Sequence, residues 1–232
     1  NRFLYLFDMD NGNGRSDASG NTYATWWAIR IINIATAEIY TWIKNHPFMV
    51  PDDTGAHMAF DVEDNLYLVS SEDQNPANTD KGCVIKITPD ATVTEHVCGM
   101  FFARGLAVVQ TGPFAGAIFV AHGTSDTYNS GFEEISMIRQ DLSIVRVIGG
   151  NSGGYGIKGL HYEAFLNVLY YERDRTNSVK YIEAIALNHF NCAVDSTGSC
   201  TAVGVTDLNT LRSDCASHTP DAQCQLTQTL YA

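Results

Sequence analysis

Four short runs of alternating apolar and aromatic residues recur along the chain. They are FLYLF around Tyr5, NLYLV around Tyr67, AIFVA around Phe119 and VLYYE around Tyr170. The central aromatic residues lie 62, 52 and 51 positions apart. Alternation over a few residues predicts half-buried β-strands, and recurrence at a nearly fixed period predicts a repeat architecture.

Each unit contains further strand-like runs separated by turn signals. AHMAFDVED, ARGLAVVQT and IKGLHYEAF precede an aromatic run, whereas AIRIINIAT, CVIKITPD, EISMIRQD and VKYIEAIAL follow one. A fourth run follows in AEIYTWI, ATVTEHVC and LSIVRVIGG. We therefore predict an all-β fold of β-propeller blades, each a four-stranded antiparallel sheet, with about four repeats over residues 1–187. The first unit lacks its leading strand, and a β-sandwich is the alternative fold.

The segments AHMAFDVEDNLYLVSSEDQ and CVIKITPDATV resemble blades of NHL-repeat and gluconolactonase-like six-bladed propellers. GLAVVQTGPFAGAIFVAHG with EEISMI is more weakly similar to quinoprotein sugar dehydrogenases, which are also propellers. The resemblance spans roughly residues 55–175 and lies in structural motifs, so it implies a fold. Gluconolactonase-like propellers hold a catalytic calcium with Glu, Asn and Asp from different blades, but no local motif identifies those ligands here.

Six cysteines, an even number, favour disulfide bonds, and their spacings suggest local bridges among the 15 connectivities that are formally possible. The expected bridges are Cys83–Cys98, Cys192–Cys200 and Cys215–Cys224. A zinc site is the alternative, but the chain has no CxxC pair. Disulfides imply an extracellular or otherwise oxidising location, and residues 188–232 are predicted to form a disulfide-pinned C-terminal segment packed on or appended to the propeller.

The segment CVIKITPDATVTEHVC predicts a β-hairpin with a defined register. Pro89 has no N–H, which favours a four-residue loop from Pro89 to Thr92, closed by Thr88 and Val93. Counting outward from that pair sets Lys86 opposite Glu95. It also sets Cys83 opposite Cys98 as a non-hydrogen-bonded pair, where the close Cα approach favours a disulfide.

Charge and hydropathy narrow the classes of partner. With 26 acidic and 14 basic residues the formal charge is -12, which disfavours nucleic-acid binding. No run reaches the roughly 20 apolar residues of a membrane-spanning helix. The chain opens on an alternating run without an initiator Met, so we expect a processed or truncated start.

The stretch DMDNGNGRSD has the composition of a calcium-binding loop. The residues that could supply oxygen ligands are Asp8, Asp10, Asn11, Asn13 and Asp17. The spacing departs by one residue from the helix-loop-helix calcium pattern, and a polar hairpin tip without metal is the alternative. We place the stretch in a long loop between the second and third strands of the first blade, where calcium would be structural; no other cofactor is predicted.

Candidate functional side chains are few. His57 lies on a predicted inner strand, where it could act as a general base, and Asp61, His122, His161 and Glu163 could also face a central channel. Trp26, Trp27 and Trp42 form a candidate binding surface for sugars or partner proteins, although aromatic residues serve equally well as core.

These observations favour an extracellular β-propeller that acts as a binding or structural module. Open blade edges are consistent with protein partners or with self-association into a surface or filamentous assembly. The alternative is a calcium- or quinone-dependent propeller enzyme acting on sugars or lactones, and a carbohydrate-binding module is a third hypothesis.

Overall fold

The computed structural model describes residues 3–10, 15–16, 22–23, 26–44, 57–70, 82–123, 133–148, 157–175, 179–187 and 205–207. These residues form four main antiparallel sheets and a short two-stranded ribbon. Sheet 1 contains β1 (Phe3–Asp10), β4 (Trp26–Asn33) and β5 (Ile39–Lys44), and the ribbon contains β2 (Arg15–Ser16) and β3 (Thr22–Tyr23). Sheet 2 contains β6 (Met58–Phe60), β7 (Leu66–Ser70), β8 (Cys83–Ile87) and β9 (Val93–Cys98).

Sheets 3 and 4 repeat the arrangement of sheet 2. Sheet 3 contains β10 (Phe101–Val108), β11 (Ile118–Gly123), β12 (Glu133–Ile138) and β13 (Ile144–Ile148). Sheet 4 contains β14 (Ile157–Glu163), β15 (Val168–Arg175), β16 (Val179–Ala186) and β17 (Val205–Asp207). In every sheet the spatial order of the strands follows their order in the chain, as in propeller blades.

The predicted blades are therefore confirmed. Each aromatic run is the second strand of a blade, and sheet 1 lacks the strand that would precede β1, as far as the described residues extend. The ribbon lies between β1 and β4, where an insertion was predicted. The segment beyond residue 188 supplies β17, the fourth strand of sheet 4.

Alternation along the second strands sorts their side chains onto two faces. Tyr5, Tyr67 and Phe119 belong to the cores shared with the following sheet. Their immediate neighbours belong to the opposite face, which we call the leading face because it packs on the preceding sheet. Leading-face residues are Leu66 and Leu68 in sheet 2, Ile118 and Val120 in sheet 3, and Leu169 and Tyr171 in sheet 4.

The β8–β9 hairpin differs from its predicted register. The backbone N–H of Thr88 donates to the carbonyl of Thr92 at 3.0 Å, so the loop has three residues rather than four. It is a type I turn followed by Ala91 at φ 67°, a left-handed conformation that the sequence does not signal with Gly. Lys86 consequently lies opposite Thr94, and the predicted Lys86–Glu95 pairing is wrong.

A β-bulge restores the predicted cysteine pair. The register shifts between Val84 and Ile85, because β9 carries one additional residue, His96. Cys83 then lies opposite Cys98, with Cα atoms 4.0 Å apart, and the two residues form the predicted disulfide. The short Cα distance is that of a non-hydrogen-bonded pair.

Candidate functional site

The leading face of sheet 1 is exposed where its counterparts are buried. Leu4 and Leu6 flank Tyr5 as Leu66 and Leu68 flank Tyr67, yet they are 54% and 45% exposed. Leu66 and Leu68 are almost completely buried, as are the leading-face residues of β11 and β15. Sheet 1 thus presents apolar positions of the kind that pack on a neighbouring sheet elsewhere in the fold.

The adjacent strands extend this surface. Leu4 pairs with Ile32 across β1 and β4, and Ile32 pairs with Ile39 across β4 and β5. Paired residues share a face, and Ile39 is 58% exposed. We call the surface formed by Leu4, Leu6, Ile32 and Ile39 the leading patch.

An ion pair lies beside the leading patch. Arg30 pairs with Leu6 in the ladder and therefore shares its face. The Nε of Arg30 donates to Oδ2 of Asp8 at 2.6 Å, and the two side chains are 32% and 35% exposed. An ion pair this exposed adds little to stability. Both side chains are partly exposed on this face.

The predicted calcium ligands begin inside β1 rather than in a loop. Asp8 pairs with Ala28 and Asp10 pairs with Trp26, so the strand continues through both acidic residues. The carboxylate of Asp8 is engaged by Arg30. The side chain of Asp10 and the residues Asn11, Asn13 and Asp17 lie outside the described part of the chain, and the calcium site stays a prediction.

The tryptophans of the predicted binding surface are distributed over two strands. Trp26 and Trp27 lie in β4, where their side chains lie outside the described part of the structure. Trp42 lies in β5, half-buried, with its ring 5.6 Å from the ring of Tyr5 in an edge-to-face contact. It lines a crevice between sheets 1 and 2.

His57 lies just before β6 and is half-buried. A Cβ built on Gly159 would lie 3.8 Å from its Cε1 atom, so the inner strands of sheets 2 and 4 approach each other here. Burial lowers the pKa of His57, which favours the neutral imidazole. Nothing in this position tests the predicted role in catalysis.

His122 is buried in sheet 3, and both of its ring nitrogens have hydrogen-bond partners. Its Nε2 lies 2.8 Å from the hydroxyl of Ser136, and its Nδ1 lies 2.8 Å from the carbonyl oxygen of Gly123. Burial is the largest influence and lowers the pKa of His122, although Gly123 and Glu134 act in the opposite direction. The neutral ring therefore donates from Nδ1 to Gly123 and accepts at Nε2 from Ser136. Ser136 is only 2% exposed, so this pair is a structural contact rather than a nucleophile and its base.

Of the other channel candidates, Asp61 and Glu163 stabilise turns and His161 is exposed. Asp61 Oδ1 accepts from the backbone N–H groups of Glu63 and Asn65, and Glu163 Oε1 accepts from the N–H of Phe165. Such bonds replace those that the turn backbone cannot make internally.

Cys83 and Cys98 are the predicted bridge that lies in the described part of the chain. Cys192, Cys200, Cys215 and Cys224 lie outside it. Among the described residues, one group of three potential metal ligands converges, namely Cys83, Glu95 and Cys98. Both of its sulfurs are consumed by the disulfide, so this group offers no thiolate to a metal. The same part of the chain contains no helix long and apolar enough to cross a bilayer.

Sequence reasoning missed the leading patch and the Asp8–Arg30 pair. Aligning FLYLF with NLYLV places Leu4 and Leu6 on the face of the strand opposite to that of Tyr5. The alternation of apolar residues is therefore a sequence signal for the patch. No sequence signal connects Asp8 to Arg30, because their contact depends on the register between β1 and β4.

Comparisons with known proteins bear on the fold. No family model matches the chain, and no curated protein matches it. Solved structures similar to it include a protein described as a candidate gluconolactonase, at 11% identity and a TM-score of 0.42, covering 77% of this chain and 57% of that one. Another is the isopeptidase AtxE2 with bound Astexin3-dC4, at 13% identity and a TM-score of 0.36, covering 79% of this chain and 26% of that one.

The chain thus spans just over half the length of the first of these proteins. Identities this low concern the fold alone. These matches are structural likenesses only, and the predicted sugar or lactone chemistry stays a prediction.

Proposed function

We propose that this protein is an extracellular β-propeller module that associates with a second copy of itself through the leading patch. The observation that carries the proposal is the exposure of Leu4 and Leu6, whose counterparts in the three other sheets are buried. Half-exposed leucines on a flat sheet face gain stability when a second apolar surface covers them.

The charges beside the patch favour a second copy as the partner. Asp8 and Arg30 present both signs on one face, so the surface is complementary to itself after a two-fold rotation. Asp8 of one copy can then meet Arg30 of the other, and the reverse contact forms at the same time. Two-fold symmetric pairs are the commonest homo-oligomers, and their interfaces have this reciprocal form.

The disulfide supports the location. Disulfides persist in oxidising compartments and are rare in the cytosol, and Cys83–Cys98 joins two paired strands of sheet 2. A secreted structural module that pairs through a sheet face is consistent with this chemistry.

The energy at stake can be bounded from burial. Fully burying a Leu or Ile side chain contributes about 2 kcal/mol, so covering the exposed half of Leu6 or Ile39 contributes about 1 kcal/mol. Each residue occurs twice in a symmetric pair, so each substitution removes about 2 kcal/mol of association free energy, roughly a 30-fold weakening. A charged replacement adds the cost of desolvating its carboxylate.

Light scattering on Leu6→Glu and Ile39→Glu tests the proposal. Wild type is expected to show twice the mass of one chain at micromolar concentrations, and both variants the mass of a single chain. Val62→Glu is the matched control, because Val62 is 73% exposed in the turn between β6 and β7, outside the patch. A monomeric wild type, or variants that dimerise as wild type does, would reject the proposal.

A further inference from the structure

A crevice of about 710 Å³ opens between sheets 1 and 2, a volume typical of small-molecule sites. The side chains that line it include Tyr5, Trp42, Met58 and Phe60. The ring of Tyr5 meets Trp42 at 5.6 Å and Phe60 at 4.7 Å, with interplanar angles of 68° and 63°. The rings therefore meet edge to face rather than in a flat stack.

Carboxylates lie at the same crevice. Asp61 and Asp64 line it, and both belong to the turn between β6 and β7. Burial raises the pKa of Asp61, but its hydrogen bonds from Asn65 and Glu63 outweigh that effect and hold the pKa below its ordinary value. Asp61 is therefore ionised at neutral pH. None of the described lining residues carries a positive charge.

We infer that this crevice binds an organic cation, an amine or guanidinium group attached to a small apolar body. Aromatic faces attract cations through the negative potential of their π-systems, and the carboxylates of Asp61 and Asp64 add a direct Coulomb attraction. The formal charge of -12 raises the local concentration of cations near the whole molecule.

The charge of the crevice favours a cation over an uncharged sugar. The described polar side chains here are the carboxylates of Asp61 and Asp64, which only accept when ionised, the hydroxyl of Tyr5, the indole N–H of Trp42 and the amide of Gln110. The Nε2 of Gln110 already donates to the carbonyl of Phe60 at 3.3 Å. The oxygens of Asp61 already accept from Glu63 and Asn65, so Asp61 contributes its charge, and Asp64 is the lining carboxylate that a cation would meet directly.

Choline and its neutral isostere 3,3-dimethylbutan-1-ol test the inference on the intact chain. Binding is followed by NMR through the indole N–H signal of Trp42, assigned by its loss in Trp42→Phe. Choline is expected to give a saturable shift, with the isostere binding at least about tenfold more weakly. Equal binding of the two compounds, or no saturable shift with either choline or N-acetylarginine amide, would overturn the inference.

Variants separate the charge from the fold. Asp64→Asn is expected to weaken choline binding severalfold while preserving the backbone, because Asn tolerates the left-handed φ of 63° at this position. Asp141→Asn is the matched control, an exposed aspartate in a turn of sheet 3, and should bind choline as wild type does. If Asp64→Asn binds choline unchanged, the carboxylate has no part in recognition and the inference fails.

Two further probes identify the source of the cation. Tighter binding of N-acetylarginine amide than of choline would support the inference. It would identify the ligand as a basic side chain of a partner protein. Tighter binding of choline would support it with a small quaternary amine. Saturable binding of methyl glucoside without binding of either cation would overturn it in favour of a sugar site. Leu6→Glu, which lies outside the crevice, should leave choline binding intact whether or not the chain self-associates.

Discussion

Replacing both members of the Cys83–Cys98 bridge by Ser perturbs the unfolded chain far more than the folded one. The bridge spans a sequence separation of 15 residues, and closing a loop of that length removes about 3 kcal/mol of chain entropy from the unfolded state. Cys98 is exposed and Cys83 only half-buried, so the loss of packing adds less than about 1 kcal/mol. Strand pairing holds the two Cα atoms close with or without the sulfurs. The double variant should therefore fold with the same register and lose about 3 kcal/mol of unfolding free energy.

Urea unfolding of oxidised wild type and of Cys83→Ser/Cys98→Ser, followed by far-UV circular dichroism, measures this loss. The midpoint should fall while the slope of free energy against urea stays equal or increases, because an uncrosslinked unfolded chain exposes more surface. A loss below about 1 kcal/mol would show that the unfolded chain gains little freedom without the bridge, and the loop-closure reasoning would be refuted. An altered native spectrum would show that the bridge, rather than the ladder, sets the register.

Three more predictions concern local features. Leu142→Gly should raise the unfolding free energy by up to about 1 kcal/mol, because Leu142 has a φ of 65°, and Leu142→Val should lower it; equal urea midpoints would contradict this. Burial lowers the pKa of His122 in the folded chain, so on acidification the unfolded chain takes up this proton first and is stabilised by it. The unfolding free energy should therefore be constant above about pH 6.5 and fall as the pH drops towards the folded pKa. His57 and His96 also have lowered pKa values and act in the same direction. In thermal melts from about pH 8 to 5, the melting temperature of His122→Asn should fall less steeply with pH than that of wild type. An unchanged slope would exclude His122 as a contributor. Asp10→Ala should lower the melting temperature only when calcium is present, and an equal loss in chelator would reject a calcium site.

The strands could be predicted from sequence because their periodicity is local. Alternation around Tyr5, Tyr67 and Phe119 follows from the two-residue period of a strand, and the spacing of the runs gives the blades. The hairpin register could not be predicted, because Ala91 adopts a conformation usually signalled by Gly. The bulge at His96 likewise has no sequence signal, yet it decides which residues face each other.

The two candidate surfaces were harder to predict. The orientation of Leu4 and Leu6 follows from the alternation, whereas their exposure depends on what stands beside sheet 1. The crevice brings together Tyr5 from sheet 1, Phe60 and Asp61 from sheet 2, and Gln110 next to sheet 3. Residues this far apart in the chain meet only through sheet packing, which spacing along the sequence does not reveal.

A charge-reversal mixing experiment tests most directly whether two copies pair through the leading patch. Asp8→Arg carries two positive charges beside the patch and Arg30→Asp carries two negative charges, so each variant alone should be monomeric by light scattering. An equimolar mixture should recover the mass of a dimer, because each copy then meets the opposite charge at both reciprocal contacts. Variants that dimerise alone as wild type does, or a mixture that stays monomeric, would contradict the account.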